Sequence, residues 1–210
     1  MLDKVRTAQN ELSIQKKIIY TVLIFIFGIG MGLLSKVLDE SAFNELPFLM
    51  QKLDITNFLG RFAVWIFIAV CISVYSNSAK RAALNVLVFF VGMVGSYYLY
   101  SAFAAGFFPK NYALIWFCFT AVSPLLAFFC WYAKGKGWPA VCISGVIIGT
   151  LFSQAVFLFQ GIRITHITEV AVWIASLLVL RRTPKEFAAQ IGISIPIAIL
   201  IQLILPYWGY

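Results

Sequence analysis

Seven apolar stretches follow one another along this chain, each close to the ~20 residues a helix needs to cross a hydrocarbon core of about 30 Å. They run Ile18 to Leu38, Phe58 to Tyr75, Ala82 to about Phe108, Tyr112 to Ala133, Trp138 to Gln160, about Ile164 to Leu180, and about Ala188 to Tyr207. Inside a bilayer no water is present to satisfy the backbone, so each stretch must close its own hydrogen bonds as a helix. The expected fold is therefore all-α, a polytopic transmembrane helix bundle of about seven spans. The third stretch exceeds the core at about 1.5 Å per residue, so it tilts or leaves an end in the interface. The sixth is the weakest, because His166 and Glu169 lie in its first turns.

Composition agrees. Of 210 residues, 62% are hydrophobic and 11% charged, against about 45–50% and about 25% in soluble domains. That excludes an ordinary water-soluble domain, a disordered chain and a disulfide-stapled secreted domain. The 16 Lys and Arg outnumber the 8 Asp and Glu, giving a formal net charge of +8. In a soluble protein this excess would suggest nucleic acid; in a membrane protein it is first a topology signal. Lys4, Arg6, Lys16, Lys17, Lys80, Arg81, Lys134, Lys136, Arg181, Arg182 and Lys185 fall on one side of alternating loops. Only Lys36, Lys52, Arg61, Lys110 and Arg163 fall on the other. Asp3, Glu11 and Glu186 join the basic side, and Asp39, Glu40, Glu45, Asp54 and Glu169 the opposite one. The expectation is an N-terminus in the cytoplasm, a C-terminus outside, and no nucleic-acid partner.

Residues 1–17 read as a short cytoplasmic interfacial segment, and 18–210 as a single transmembrane helical domain. The first stretch is too long for a cleaved leader, and no small-x-small site follows it. The outer loop 39–57 mixes Phe43, Leu46, Phe48, Leu49, Met50 and Leu53 with acids, the pattern of a segment lying on the membrane surface. No internal repeat stands out. Seven spans permit a three-plus-one-plus-three layout, but spacing alone does not establish it. Trp138, Tyr207, Trp208 and Tyr210 are expected as interfacial anchors.

Gly28, Gly32, Ser35, Lys36 and Asp39 share an arc of about 100° on one helix. Small residues let helices approach where lipid gives no hydrophobic drive, so Gly28 and Gly32, and likewise Gly145 and Gly149, are expected at helix contacts. Lys36 and Asp39 end the first stripe as an ion pair. Arg61, Arg163, His166 and Glu169 lie at the outer ends of the second and sixth stretches, the last three on one broad side of a helix. Ionisable groups within a span are costly and point to function. Arg61 with Glu169 is the preferred pair, and Lys36 with Asp39 joins it in a charged vestibule open to the outside. The plain alternative is that the long side chains snorkel to headgroups, which a short Glu cannot do as far.

Tyr97 and Tyr98, with Thr120 and Ser123 ahead of Pro124, are candidates for lining a polar cavity; an aromatic belt explains the tyrosines equally well. A proline inside a span frees a backbone carbonyl that Ser or Thr can satisfy. His166 is the only histidine, and Cys71, Cys118, Cys130 and Cys142 form no Cys-x-x-Cys pair, so no metal centre is expected. No nucleophile–base pair or paired intramembrane Asp is present, so neither catalysis nor a cofactor is expected.

The run Gly32-Leu33-Leu34-Ser35-Lys36-Val37-Leu38-Asp39, the run Ser78-Ala79-Lys80-Arg81-Ala82-Ala83 and the pair Tyr97-Tyr98 resemble a family of small, functionally uncharacterised bacterial multi-pass membrane proteins. The resemblance covers about the first half of the chain. It implies a bacterial inner membrane and draws interest to Lys36, Asp39 and Arg81, and it brings no activity with it. Two expectations follow. One is binding or movement of a small solute through an outward-facing polar cavity. The other is a non-catalytic subunit that packs against another membrane protein or a second copy.

Overall fold

The computed structural model describes residues 4–8, 12–104, 106, 108–159 and 162–205. Asp3, Glu11 and Gln160, and the expected anchors Tyr207, Trp208 and Tyr210, lie outside the described residues. The fold is all-helical: α1 (Ile14–Glu40), α2 (Phe48–Lys52), α3 (Ile55–Gly60), α4 (Phe62–Tyr75), α5 (Ala79–Phe103), α6 (Lys110–Cys130), α7 (Gly137–Ala155), α8 (Ile167–Val179) and α9 (Pro184–Ile204). Five are long and apolar enough to cross a membrane: α1, α5, α6 with its 3₁₀ extension to Lys134, α7 and α9.

The second and sixth apolar stretches form shorter helices than expected. Arg61 has extended backbone (φ −91°, ψ 163°), which divides Phe58–Tyr75 into the end of α3 and a 14-residue α4. The sixth stretch begins as strand. Arg163–Ile164 (β2) pairs antiparallel with Val156–Phe157 (β1), and α8 starts only at Ile167, with 13 residues. At about 1.5 Å per residue each helix rises only about 20 Å, short of the ~30 Å core. Short apolar runs do not distinguish strand from helix by themselves. The same hairpin ends α7 at Ala155, where the fifth stretch was expected to continue to Gln160.

Local signals set the other boundaries. Ser13 and Ser78 cap α1 and α5, accepting from the amides of Lys16 and Arg81 at 3.4 and 3.3 Å. Pro184 opens α9 at its first turn, where a missing N–H costs nothing. Pro124 inside α6 cannot bond the Thr120 carbonyl. The Ser123 hydroxyl donates to that oxygen at 2.9 Å, so the helix continues through the proline.

The chain gathers into two compact units. One holds α1, the end of α4, α5 and α6; the other holds α2, α3, most of α4 and α7 to α9. In the first, α1 lies along α5 at backbone contact. A Cβ on Gly28 would strike the Phe89 carbonyl, one on Gly32 the Met93 carbonyl, and one on Gly92 would come 2.7 Å from Phe25 O. In the second, α7 lies along α9. A Cβ on Gly149 would come 2.6 Å from Ser194 O, and one on Gly145 2.8 Å from Ile193 Cγ2. The glycines expected at helix contacts are at helix contacts. The rest of α1 leaves Ile18, Leu23, Ile26 and Phe27 exposed, the surface a helix turns to hydrocarbon.

The loop after α1 is helical in short pieces, a 3₁₀ turn at Phe43–Glu45 followed by α2 and α3. It exposes Phe43, Phe48 and Leu49. Asp54 turns this segment toward α4 in the left-handed region (φ 51°), which Asp tolerates better than most residues.

Candidate functional site

The strongest polar constellation forms where α4 and α8 begin. The break at Arg61 puts its guanidinium beside the first turn of α8, where Nε donates to Glu169 Oε1. Nη1 donates to Asp54 Oδ2 at 3.2 Å. The Thr168 hydroxyl donates to the other carboxylate oxygen, Glu169 Oε2, at 2.8 Å, and His166 Nδ1 stands 3.9 Å from that atom. The side chains of Glu169 and Arg61 are 2% and 13% exposed, whereas Asp54 and His166 are 30% and 34% exposed. The pair is thus largely buried, and its two outer partners are partly exposed. The sequence-preferred pair is formed, over a separation of 108 residues.

The pair is not fully satisfied. Arg61 Nη2, His166 Nδ1 and the indole Nε1 of Trp173 are buried without a hydrogen-bond partner. Trp173 is one helical turn beyond Glu169, on the same face of α8. Buried polar atoms are nearly always bonded in folded proteins. An arginine with one idle Nη, beside a carboxylate whose oxygens are both engaged, is arranged to accept a further hydrogen-bonding group.

Lys36 and Asp39 form a second cluster, in the unit that holds α1 and α5. Lys36 Nζ lies 3.3 Å from Asp39 Oδ2 and 3.2 Å from Glu40 Oε1, on one face of α1. Its ammonium sits 5.4 Å from the Tyr97 ring, and the Tyr97 hydroxyl donates to Asp39 at 2.9 Å. Tyr98 is buried against Phe108 and Phe117, with its hydroxyl unpartnered.

Three expectations change. Arg163 does not share a helix face with Glu169: it is in β2, stacked 5.3 Å from the Phe157 ring. His166 is the N-cap of α8 rather than a residue within it. The Thr120 hydroxyl donates to Trp116 O at 2.8 Å and that of Ser123 to Thr120 O, so both are spent on their own helix.

Two arginines that read as topology signals hold folded elements together. Arg81 Nη2 donates to Lys17 O at 2.8 Å and to the Thr21 hydroxyl at 2.6 Å. Arg182 donates to Ala133 O, to Gly135 O at 3.3 Å and to Ser144 Oγ at 3.3 Å. Burial pulls the Arg182 guanidinium below its ordinary pKa, and Glu186 at 3.8 Å works against that shift. Asn85 and Gln190 sit beside these arginines as buried amides. Gln202 Nε2 bonds Ser153 O and Val156 O, both at 2.7 Å, which closes the end of α7. Only a long-range partner distinguishes such residues from surface charge or helix-end polarity.

All four cysteines are free, and no cluster of His, Cys, Asp and Glu able to hold a metal occurs among the described residues. Set beside protein-family models, curated proteins and solved structures, the chain matches none.

Proposed function

We propose that this chain is a seven-helix protein of a bacterial plasma membrane, N-terminus in the cytoplasm and C-terminus outside, that binds and moves a small polar solute at the Arg61–Glu169 cluster. The charge count supports the orientation. In this reading α4 and α8 complete their crossings with the segments ahead of them, α3 and the β1–β2 hairpin. The same orientation turns Asp54, Arg61, His166 and Glu169 toward the outside.

One observation carries the solute reading: a buried arginine is held by two carboxylates and still has an unpartnered Nη2. A buried ion pair is weak evidence for stability, since apolar residues of similar size often serve as well. Ionisable groups within the membrane are otherwise rare and tied to substrate or ion pathways. The cluster offers a guanidinium N–H, an indole N–H one turn away and carboxylate oxygens. It suits a small solute that both accepts and donates hydrogen bonds.

The test is a thermal-shift screen of small polar solutes on purified protein, since a ligand that binds only the folded state raises its melting temperature. A stabilising solute whose effect disappears in Arg61→Gln and persists in Lys36→Gln supports the reading. A solute that stabilises Arg61→Gln as well as the parent protein overturns the site assignment. A blank screen with stoichiometric co-purification of another membrane protein favours the packing-subunit alternative.

A further inference from the structure

We infer that the chain contains one series of three helices twice along its sequence, as α1–α4–α5 and α7–α8–α9, with α6 between the copies, and that Arg61 and Glu169 are the same position of the two series. The helices are 27, 14 and 25 residues long in the first series and 19, 13 and 21 in the second. In each, a helix too short to span stands between two long ones. In each, the first helix packs most extensively along the third. Glycines four residues apart in the first helix make both approaches.

The short helices and the third helices also match in sequence. Arg61-Phe62-Ala63-Val64-Trp65-Ile66 leads into the first short helix, and Glu169-Val170-Ala171-Val172-Trp173-Ile174 begins at the third residue of the second. Four consecutive residues are identical. The third helices begin Ser78-Ala79-Lys80 and Thr183-Pro184-Lys185, with Ser78 and Thr183 both at the N-cap. Asn85 and Gln190 follow at the same distance from those caps, both buried. Each amide bonds back to the turn before its helix, Asn85 to Ser76 Oγ at 3.1 Å and Gln190 to Leu180 O at 3.2 Å. Each meets a hydroxyl of the first helix, Thr21 at 3.5 Å and Ser144 at 2.7 Å. An arginine joins each trio and holds main-chain oxygens at the entry to the first helix. Arg81 holds Lys17 O, and Arg182 holds Ala133 O and Gly135 O. Gly28 meets the carbonyl of Phe89 and Gly149 that of Ser194, and Phe89 and Ser194 are again matching positions.

Any one of these likenesses is common among helical membrane proteins. Their recurrence in one order is what duplication produces, with the arginines displaced, Arg81 three residues after its cap and Arg182 one before. It gives the Arg61–Glu169 pair a specific meaning. Where two like units meet about a twofold axis, a position on that axis faces its own equivalent. The same charge on both copies would repel there, and a chain that carries both copies can place opposite charges instead. Trp65 and Trp173 have diverged too. Trp65 Nε1 donates to Leu59 O at 2.8 Å, while the Trp173 indole has no partner.

Two measurements on the full-length purified protein test the inference, and neither uses a ligand. The first ranks thermal stability for single substitutions across 61–66 and 169–174, and across 78–89 and 183–194. Tolerance is expected to correlate in the register Trp65 with Trp173 and Asn85 with Gln190, and to fall when the register is shifted by two residues. Equal correlation in the shifted register overturns the duplication. The second is charge exchange, Arg61→Glu with Glu169→Arg, in an Asp54→Asn background that removes the one-sided acid. Either reversal alone is expected to lower the melting temperature, and the exchange to recover at least half of the loss. An exchange no more stable than the single reversals overturns the equivalence of the two positions.

Discussion

The two charged clusters are built from similar residues by different means. Lys36, Asp39 and Glu40 meet because they are three and four residues apart on one helix, as any continuous α1 would bring them together. Asp39 and Glu40 remain 51% and 35% exposed. Arg61 and Glu169 meet only because a break before α4 and a delayed start of α8 bring two helix ends together. Without Lys36, whose own side chain is 9% exposed, the first cluster keeps two acids that reach water. Without Arg61, Glu169 stays buried with only Thr168 and His166 beside it, and without Glu169 the guanidinium keeps only Asp54.

The largest effect is therefore expected at Glu169→Gln or Arg61→Gln. Breaking a buried pair costs about 3–5 kcal/mol, and the double variant should cost much less than the sum of the singles. A double-mutant cycle on melting temperatures in detergent checks this; additive losses would show that the two residues are not coupled. Next come Gly28→Ala and Gly149→Ala, each putting a Cβ into a facing carbonyl at about 1–3 kcal/mol of overpacking. Gly30→Ala, with nothing within 4 Å, is the control and should be neutral or slightly stabilising. Tyr97→Phe removes one hydrogen bond to Asp39 and should cost about 0.5–1.5 kcal/mol. Smallest is Lys36→Gln, within about 1 kcal/mol for partly exposed pairs, and its effect should shrink further in high salt. A Lys36→Gln loss as large as that of Glu169→Gln would erase the contrast between the clusters.

Much of the fold is legible in the chain. Apolar length marks the five long helices, and the spacing of Gly28 and Gly32, and of Gly145 and Gly149, marks two helix contacts. The Arg61–Glu169 pair is legible as well, because a short buried acid needs a cation and few are available. Arg163 was misplaced because residues three apart share a face only if the segment is helical, and this one is strand. Thr120 and Ser123 read as cavity-lining groups, but a hydroxyl in a helix readily bonds the carbonyl three or four residues back. The hidden features share one property. Arg81, Asn85, Arg182 and Gln190 take their roles from partners far along the chain, so alone they read as loop charge and helix-end polarity.

The duplication shows the same division. The matching Ala-Val-Trp-Ile runs are four residues each in a chain rich in such residues, too little to stand out. Their meaning comes from the order in which the two short helices, the caps of the third helices and the arginine–amide–hydroxyl networks recur. Composition and apolar length by themselves determined that this chain is a bundle of helices suited to a membrane, because burying backbone in hydrocarbon leaves no other local solution. Only the tertiary structure decided where the two short helices begin and which charges meet there. Those outcomes depend on pairings between distant segments, and apolarity, being nondirectional, does not encode them.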